Sequence, residues 1–94
     1  MQFVVECRDK PGHLELRQAT RPPHLEHMNS YARSILIAGP LLDAHGQPNG
    51  SLLIFEVENR AALDQIIQND PYALAGLFET VRVTPFRKTL PAVT

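Results

Sequence analysis

Two side chains in this sequence could act together as a base and its orienting carboxylate. His24 follows Pro22 and Pro23, which favour the start of a helix because proline fixes φ near the helical value and needs no amide partner. The N-terminal end of a helix dipole disfavours added positive charge, so it favours a neutral imidazole that can accept a proton. Asp70 precedes Pro71, where a second helix is predicted to end. A carboxylate near an imidazole fixes its tautomer, as general-base catalysis requires.

Both residues also have purely structural interpretations. His24 could simply bond a backbone group at a helix start, and Asp70 could be the turn residue that ends a helix before proline. The pattern alone therefore leaves a site and a pair of structural contacts open.

Three more polar side chains are candidates for binding a substrate: Arg8, Ser51 and Tyr72. Arg8 ends the first predicted strand and could hold a carboxylate, although a solvated arginine is the ordinary interpretation. Ser51 follows Gly50, where a bare backbone would let a ligand approach closely; it could also be a turn residue. Tyr72 could line a pocket or pack in the core.

The composition argues against several other kinds of site. Nine basic and ten acidic side chains are interspersed, for a net charge of −1. The basic residues form no cluster of the kind that binds nucleic acid, so we do not expect nucleic acid as a partner. Cys7 is the only cysteine, which excludes an internal disulfide and a multi-cysteine zinc site; we interpret it as a small buried residue of a strand. His24 and His27 lack a third ligand at a fixed spacing. Phosphate-binding glycine loops are absent, so we expect neither metal nor cofactor.

The sequence also predicts where the protein resides. No apolar run approaches the roughly 20 residues that span a bilayer. No basic segment followed by an apolar run precedes the first predicted strand. We therefore expect a soluble, cytoplasmic protein with no membrane partner.

The elements that must position these residues follow from hydrophobic spacing. Strands are predicted over residues 2–8, 35–42, 51–58 and 78–87. Helices are predicted over residues 13–19, from 22 to about 34, and 59–69, with a further turn over 71–76. Gly39-Pro40 predicts an edge or a bulge in the second strand, because proline donates no ladder hydrogen bond.

The predicted order is β-α-β-β-α-β, which is the ferredoxin-like split βαβ arrangement of the α+β class. We expect one domain over residues 1–94, with a core of about 2–88 and a tail over 89–94. The two helices of this fold are roughly antiparallel, so the start of the first should lie near the end of the second. That places His24 beside Asp70. Several strands are apolar on both faces, so we expect a homodimer in which a second copy covers the open face of the sheet.

Short motifs in a fixed order resemble the YciI-like family. They are residues 3–5, 7–12, 17, 21–25, 38–41, 50–51, 70–72, 75–77 and 85–86. The resemblance covers nearly all of residues 2–90 and implies a dimeric α+β barrel related in architecture to muconolactone isomerase. It also implies a site built on His24 and Asp70, with Ser51 and Tyr72 in the pocket. One branch of the family resembles dehydrochlorinases that act on chlorinated hydroxyquinols.

Three functions are consistent with these features. The first is a small cofactor-independent enzyme of lyase or isomerase type, in which His24 takes a proton beside a carbonyl or phenol of a small metabolite, cyclic ones included. The second is a non-catalytic module that binds a small molecule in the same pocket. The third is a structural dimer in which the contact between His24 and Asp70 merely satisfies two polar groups.

Overall fold

The computed structural model describes residues 1–92 and contains a four-stranded antiparallel sheet with strand order β2-β3-β1-β4. The elements are β1 (Gln2–Asp9), α1 (Leu14–Asn29), β2 (Ile35–Leu42), β3 (Pro48–Glu56), α2 (Arg60–Gln68), α3 (Pro71–Leu74) and β4 (Phe78–Phe86), with a 3-10 turn at Ala32–Ser34. This is the ferredoxin-like arrangement, so the predicted fold class is confirmed. The last two residues of the predicted tail, 93 and 94, lie outside the described residues.

The core lies between the helices and one face of the sheet. It contains Phe3, Val5, Cys7, Leu53, Phe55 and Val57 from the strand regions and Met28, Leu63 and Ile66 from α1 and α2. Phe3 pairs directly with Phe55 across the ladder, and side chains so paired share a face. Each large apolar side chain buried there contributes about 1.5–3 kcal/mol. Both helices therefore pack on the same side of the sheet.

The opposite face of the sheet, the open face, also carries apolar residues. Ile37 pairs with Ile54, which pairs in turn with Val4, so these three side chains lie together, with Leu52 beside them on β3. Ile37 is 61% exposed. The structure of one chain thus leaves an apolar group of strand residues without a covering layer.

The prediction that a helix starts at Pro22 is wrong. Pro22 and Pro23 lie inside α1, which is one helix of 16 residues, and the predicted stretch over residues 13–19 is its first half. The two prolines remove the hydrogen bonds to the carbonyls of Gln18 and Ala19. All four residues are exposed, so water can hydrate those carbonyls and the helix continues.

The prediction about Gly39-Pro40 is confirmed. β2 stands at the edge of the described sheet, whereas its register shifts against β3 lie between Ile35 and Ile37 and between Leu41 and Leu42, so the edge and not a bulge accounts for Gly39-Pro40. An edge strand tolerates a proline because one side of its ladder needs no donor. Among the described residues, no helix combines the length and the apolar character needed to cross a membrane.

Candidate functional site

His24 and Asp70 are hydrogen-bonded to each other. Nδ1 of His24 lies 2.8 Å from Oδ1 of Asp70, and the two side chains are 11% and 4% exposed. A carboxylate can only accept, so Nδ1 is assigned the hydrogen and Nε2 keeps the lone pair. The contact is the one that the sequence led us to expect.

The route by which the fold makes this contact differs from the prediction. His24 lies in the second half of α1, so the dipole at a helix start does not set its protonation. α2 ends at Gln68, and Asp70 is the N-cap of the short helix α3, where its Oδ1 also accepts from the N–H of Tyr72 at 2.9 Å. A carboxylate is favoured at an N-cap because it satisfies a free amide. Two hydrogen bonds to one oxygen therefore fix the carboxylate beside the imidazole.

The ring of Tyr72 packs against the face of the His24 imidazole. Its ring stacks on that of His24, with centroids 3.9 Å apart and planes inclined by 15°, and the residue is 1% exposed. The pKa of the Tyr72 phenol is raised, first by burial and further by the charge of Asp70, while Arg17 acts in the opposite direction. The phenol therefore stays protonated and the stacked ring restricts the orientation of His24.

Arg17 belongs to this cluster although it was not among the predicted site residues. It is 4% exposed. Its Nε donates to Oδ2 of Asp9 at 2.6 Å, and its Nη2 donates to Oδ1 of Asp9 at 2.9 Å and to Oγ of Ser51 at 2.8 Å. Arg17 and His24 are seven residues apart and share a face of α1. That spacing could have revealed the pair, but only if the segment had been recognised as one helix through both prolines.

Ser51 lies in this cluster, but the reason proposed for Gly50 is wrong. A Cβ at Gly50 would sit 2.6 Å from the carbonyl oxygen of Cys7, so the glycine accommodates the backbone of β1. Ser51 is the fourth residue of β3, is 4% exposed and accepts from Arg17. Its own hydroxyl hydrogen remains free to donate.

The structure does not bring Arg8 into the cluster. Arg8 is exposed, and its Nη2 donates to Glu6 at 3.0 Å. Its neighbour Cys7 faces the core and is 2% exposed. Burial is the main cause that raises the pKa of the Cys7 thiol to about 12, with the charge of Asp70 adding to it. A thiol held neutral in this way is a poor nucleophile, in agreement with its structural interpretation.

A cavity of about 380 Å³ opens between α1 and the edge formed by β2 and β3. We call it the site cavity. Its polar lining includes Arg17, Arg21, His24, Ser51 and Tyr72, and its apolar walls include Leu25, Met28, Ile35, Pro40 and Leu53. No carboxylate lines it among residues 1–92; Asp9 and Asp70 lie behind the groups that they bind. The arrangement is a concave apolar slot with a few convergent polar groups, as in small-molecule sites.

The histidines do not converge as metal ligands. Nε2 of His27 lies 2.9 Å from the carbonyl oxygen of Ile66, to which it donates, and so is engaged away from His24. Over the described part of the chain, no three side chains of His, Cys, Asp or Glu form a group that could hold a metal ion.

Known proteins resemble this chain along nearly its whole length. Protein YciI of Escherichia coli O6:H1 is 34% identical, with 94% of this chain and 98% of that protein covered. The 5-chloro-2-hydroxyhydroquinone dehydrochlorinase TftG from Burkholderia phenoliruptrix AC1100, solved in complex with 2,5-dihydroxybenzoquinone, is 28% identical with a TM-score of 0.91, covering 99% of this chain and 100% of that one.

A more distant structure supports the fold alone. A candidate antibiotic biosynthesis monooxygenase from Bacteroides thetaiotaomicron has a TM-score of 0.62 at 14% identity, covering 100% of this chain and 93% of that one. The family, by contrast, is matched directly, because residues 1–87 fit the YCII-related domain. The prediction from the motifs is therefore confirmed: this chain belongs to the YCII-related domain family.

Proposed function

We propose that this chain is a small enzyme of lyase or isomerase type in which His24 is the general base and Asp70 orients it. One observation carries the proposal. The bond from Nδ1 to Asp70 leaves Nε2 as the acceptor, and no residue within 1–92 donates to it. His24 lines the site cavity, so the unused nitrogen is available to a ligand there.

The chemistry follows from this assignment. Nε2 of His24 takes a proton from a hydroxyl of the substrate, or from a carbon beside its carbonyl. The electron pair left behind moves onto the carbonyl oxygen as an enolate or stays as a phenolate. The pair then expels a leaving group, or returns to carbon and takes the proton back at another position. Asp70 remains hydrogen-bonded to the ring and stabilises the imidazolium formed in between.

The size and walls of the site cavity favour a ring compound. A volume of about 380 Å³ falls in the range of small-molecule sites, and apolar walls with few polar groups suit a flat hydroxylated ring. The neighbour TftG was solved with 2,5-dihydroxybenzoquinone, which is such a ring. We propose the same chemical class for this chain, including a dehydrochlorinase-like reaction. A non-catalytic binding module is the competing function, because the same cavity supports it.

Turnover by a histidine variant tests this proposal. Hydroxylated quinones and chlorinated hydroxyquinols are first screened by thermal shift, since a bound ligand stabilises the native state. His24→Gln should then lower turnover of an active compound by about 10²–10⁴-fold while still binding it. Near-normal turnover in a folded His24→Gln protein would place the chemistry elsewhere. Binding without turnover of any compound in the wild type would favour the binding module.

A matched control shows whether the loss of turnover is specific to His24 or follows from replacing any histidine by glutamine. His45 lies in the exposed loop between β2 and β3 and does not line the site cavity. His45→Gln should turn over substrate at the wild-type rate.

We also propose a homodimer in which two open faces stack. Ile37 and its neighbours Val4, Leu52 and Ile54 form a contiguous apolar group on the open face, and contiguous exposed apolar patches often mark an interface with a partner. A second copy of the same chain supplies an equal apolar surface through a two-fold axis. A cytoplasmic location stays a prediction.

A further inference from the structure

The guanidinium of Arg17 has donors that the protein leaves unused. Nε and Nη2 make three hydrogen bonds to Asp9 and Ser51, which uses all three of their hydrogens. Nη1 carries two more, and no group within residues 1–92 accepts either. That same part of the chain contains no fully buried polar side-chain atom without a partner, so Nη1 keeps some accessible surface although Arg17 is only 4% exposed. Arg17 lines the site cavity, where a ligand can meet such an unpaired donor.

The charges around the site cavity favour an anion. Burial lowers the pKa of Arg17, but the hydrogen bonds and the charge of Asp9 outweigh burial and raise the pKa above its ordinary value. Arg17 is therefore charged throughout the working pH range. Arg21 is a second cation in the lining, and no carboxylate faces the cavity among the described residues. Low-dielectric walls strengthen the attraction of such a cleft for an anion.

The distance between Arg17 and His24 suits one small ring. The imidazole centroid lies 3.9 Å from the centroid of the Tyr72 ring, and Cζ of Arg17 lies 4.6 Å from that same centroid. The two groups therefore cannot be further apart than the sum of these distances. A substituted six-membered ring with a hydrogen bond at each end can bridge that gap. One ligand can thus meet the base and the cation together.

We propose that Nη1 of Arg17 is the anion-binding group of the site cavity, and that the substrates are ring compounds with an ionised or ionising oxygen. The inference rests on the proposed function and names its substrate class: phenolates, enolates and aromatic carboxylates. When His24 removes a proton, negative charge develops on the oxygen of the substrate. A guanidinium already held by Asp9 and Ser51 stabilises that charge without reorganising.

Isosteric ligands of different charge test the inference. The probes are 2,5-dihydroxybenzoate and its neutral amide, 2,5-dihydroxybenzamide, titrated by calorimetry into the full chain. The wild type should bind the carboxylate about 10–100-fold more tightly than the amide, as expected for charge-assisted hydrogen bonds. Arg17→Lys, which keeps the charge but loses the planar fork, should remove most of this preference. Arg60→Lys, at an exposed arginine paired with Asp64, should keep it.

A measurement on the wild type covers the case in which Arg17→Lys does not fold. The guanidinium proton signals of Arg17 in the NMR spectrum should shift when the carboxylate is added, and those of Arg60 should not. Equal binding of carboxylate and amide, no binding of either, or unshifted Arg17 signals would overturn the inference.

The outcomes also separate this inference from the proposed function. Selective binding of the carboxylate through Arg17, together with no turnover of any screened compound by the wild type, would refute catalysis and keep the anion site. Loss of turnover in His24→Gln together with equal binding of both probes would keep catalysis and refute the anion site.

Discussion

Replacing Asp70 should separate its structural role from its proposed role beside His24. Oδ1 of Asp70 accepts from Nδ1 of His24 at 2.8 Å and from the N–H of Tyr72 at 2.9 Å. Asp70→Ala removes both bonds. Asp70→Asn keeps an oxygen that can accept both hydrogen bonds. The amide nitrogen then takes the place of Oδ2, and no residue within 1–92 donates a hydrogen bond to Oδ2. We therefore expect the two variants to differ sharply in stability.

The magnitudes follow from the two hydrogen bonds. Loss of an N-cap costs about 1 kcal/mol, and loss of a buried hydrogen bond to a charged group costs about 1.5–3 kcal/mol. Asp70→Ala should therefore lower the free energy of unfolding by about 2.5–4 kcal/mol. Asp70→Asn loses only the charge of the acceptor, at about 1 kcal/mol. A chain of this length has a total stability of roughly 5–14 kcal/mol, so both variants should remain folded.

Urea unfolding followed by circular dichroism measures these differences. The chain concentration must be equal in every sample, because dimer formation would couple stability to concentration. An unchanged slope with a lower midpoint would show that the variants differ in stability and not in the unfolded state. Equal costs for Asn and Ala, or a cost below about 1 kcal/mol for Ala, would refute the assigned contacts. If the proposed function holds, Asp70→Asn should also lose turnover while keeping most of its stability, because an amide does not stabilise an imidazolium as a carboxylate does.

Two further predictions test the open face and the buried thiol. Sedimentation of the wild type at micromolar concentration should give twice the mass of the chain. Ile37→Glu should give the mass of a single chain. The control Leu74→Glu, at a 72% exposed position on α3, should keep the dimer mass. A monomeric wild type would refute the dimer. The pKa of Cys7 is raised from 9.0 to about 12 by burial, so the folded thiol stays protonated where the unfolded one ionises. Its contribution to stability is complete below pH 9 and is lost as the pH rises toward 12. Alkylation by iodoacetamide at pH 9 should therefore be slow in the native protein and fast in urea, and equally fast reaction in both would contradict the burial.

The sheet could be predicted from the sequence because its signals are local. Alternating apolar residues, the turn chemistry after each strand and the edge signal at Gly39-Pro40 are short-range features. The structure agrees with them to within a few residues at each strand end. The contact between His24 and Asp70 was also expected, but from the antiparallel arrangement of two helix ends. The structure makes it between the body of α1 and the N-cap of α3.

α1 was misread because its inward face is polar. Residues 17, 21, 24 and 28 recur at helical spacing and lie on one side of the helix, but only Met28 of these four is apolar. Hydrophobic periodicity therefore predicts only a short helical stretch over residues 13–19 in this half of α1, and the two prolines suggest that a separate helix begins after it. Tertiary contacts, above all those of Arg17 with Asp9 and Ser51, cannot be read from local spacing.

That polar inward face is itself an argument about function. A buried ion pair such as Arg17 with Asp9, whose side chains are each 5% exposed, contributes little net stability, because desolvation offsets the attraction between the charges. Apolar residues of similar volume would stabilise α1 against the sheet at least as well. Stability alone therefore does not account for a guanidinium held by three hydrogen bonds with two donors left over. A ligand that accepts those donors would account for it, and the same ligand would lie in the cavity that His24 also lines.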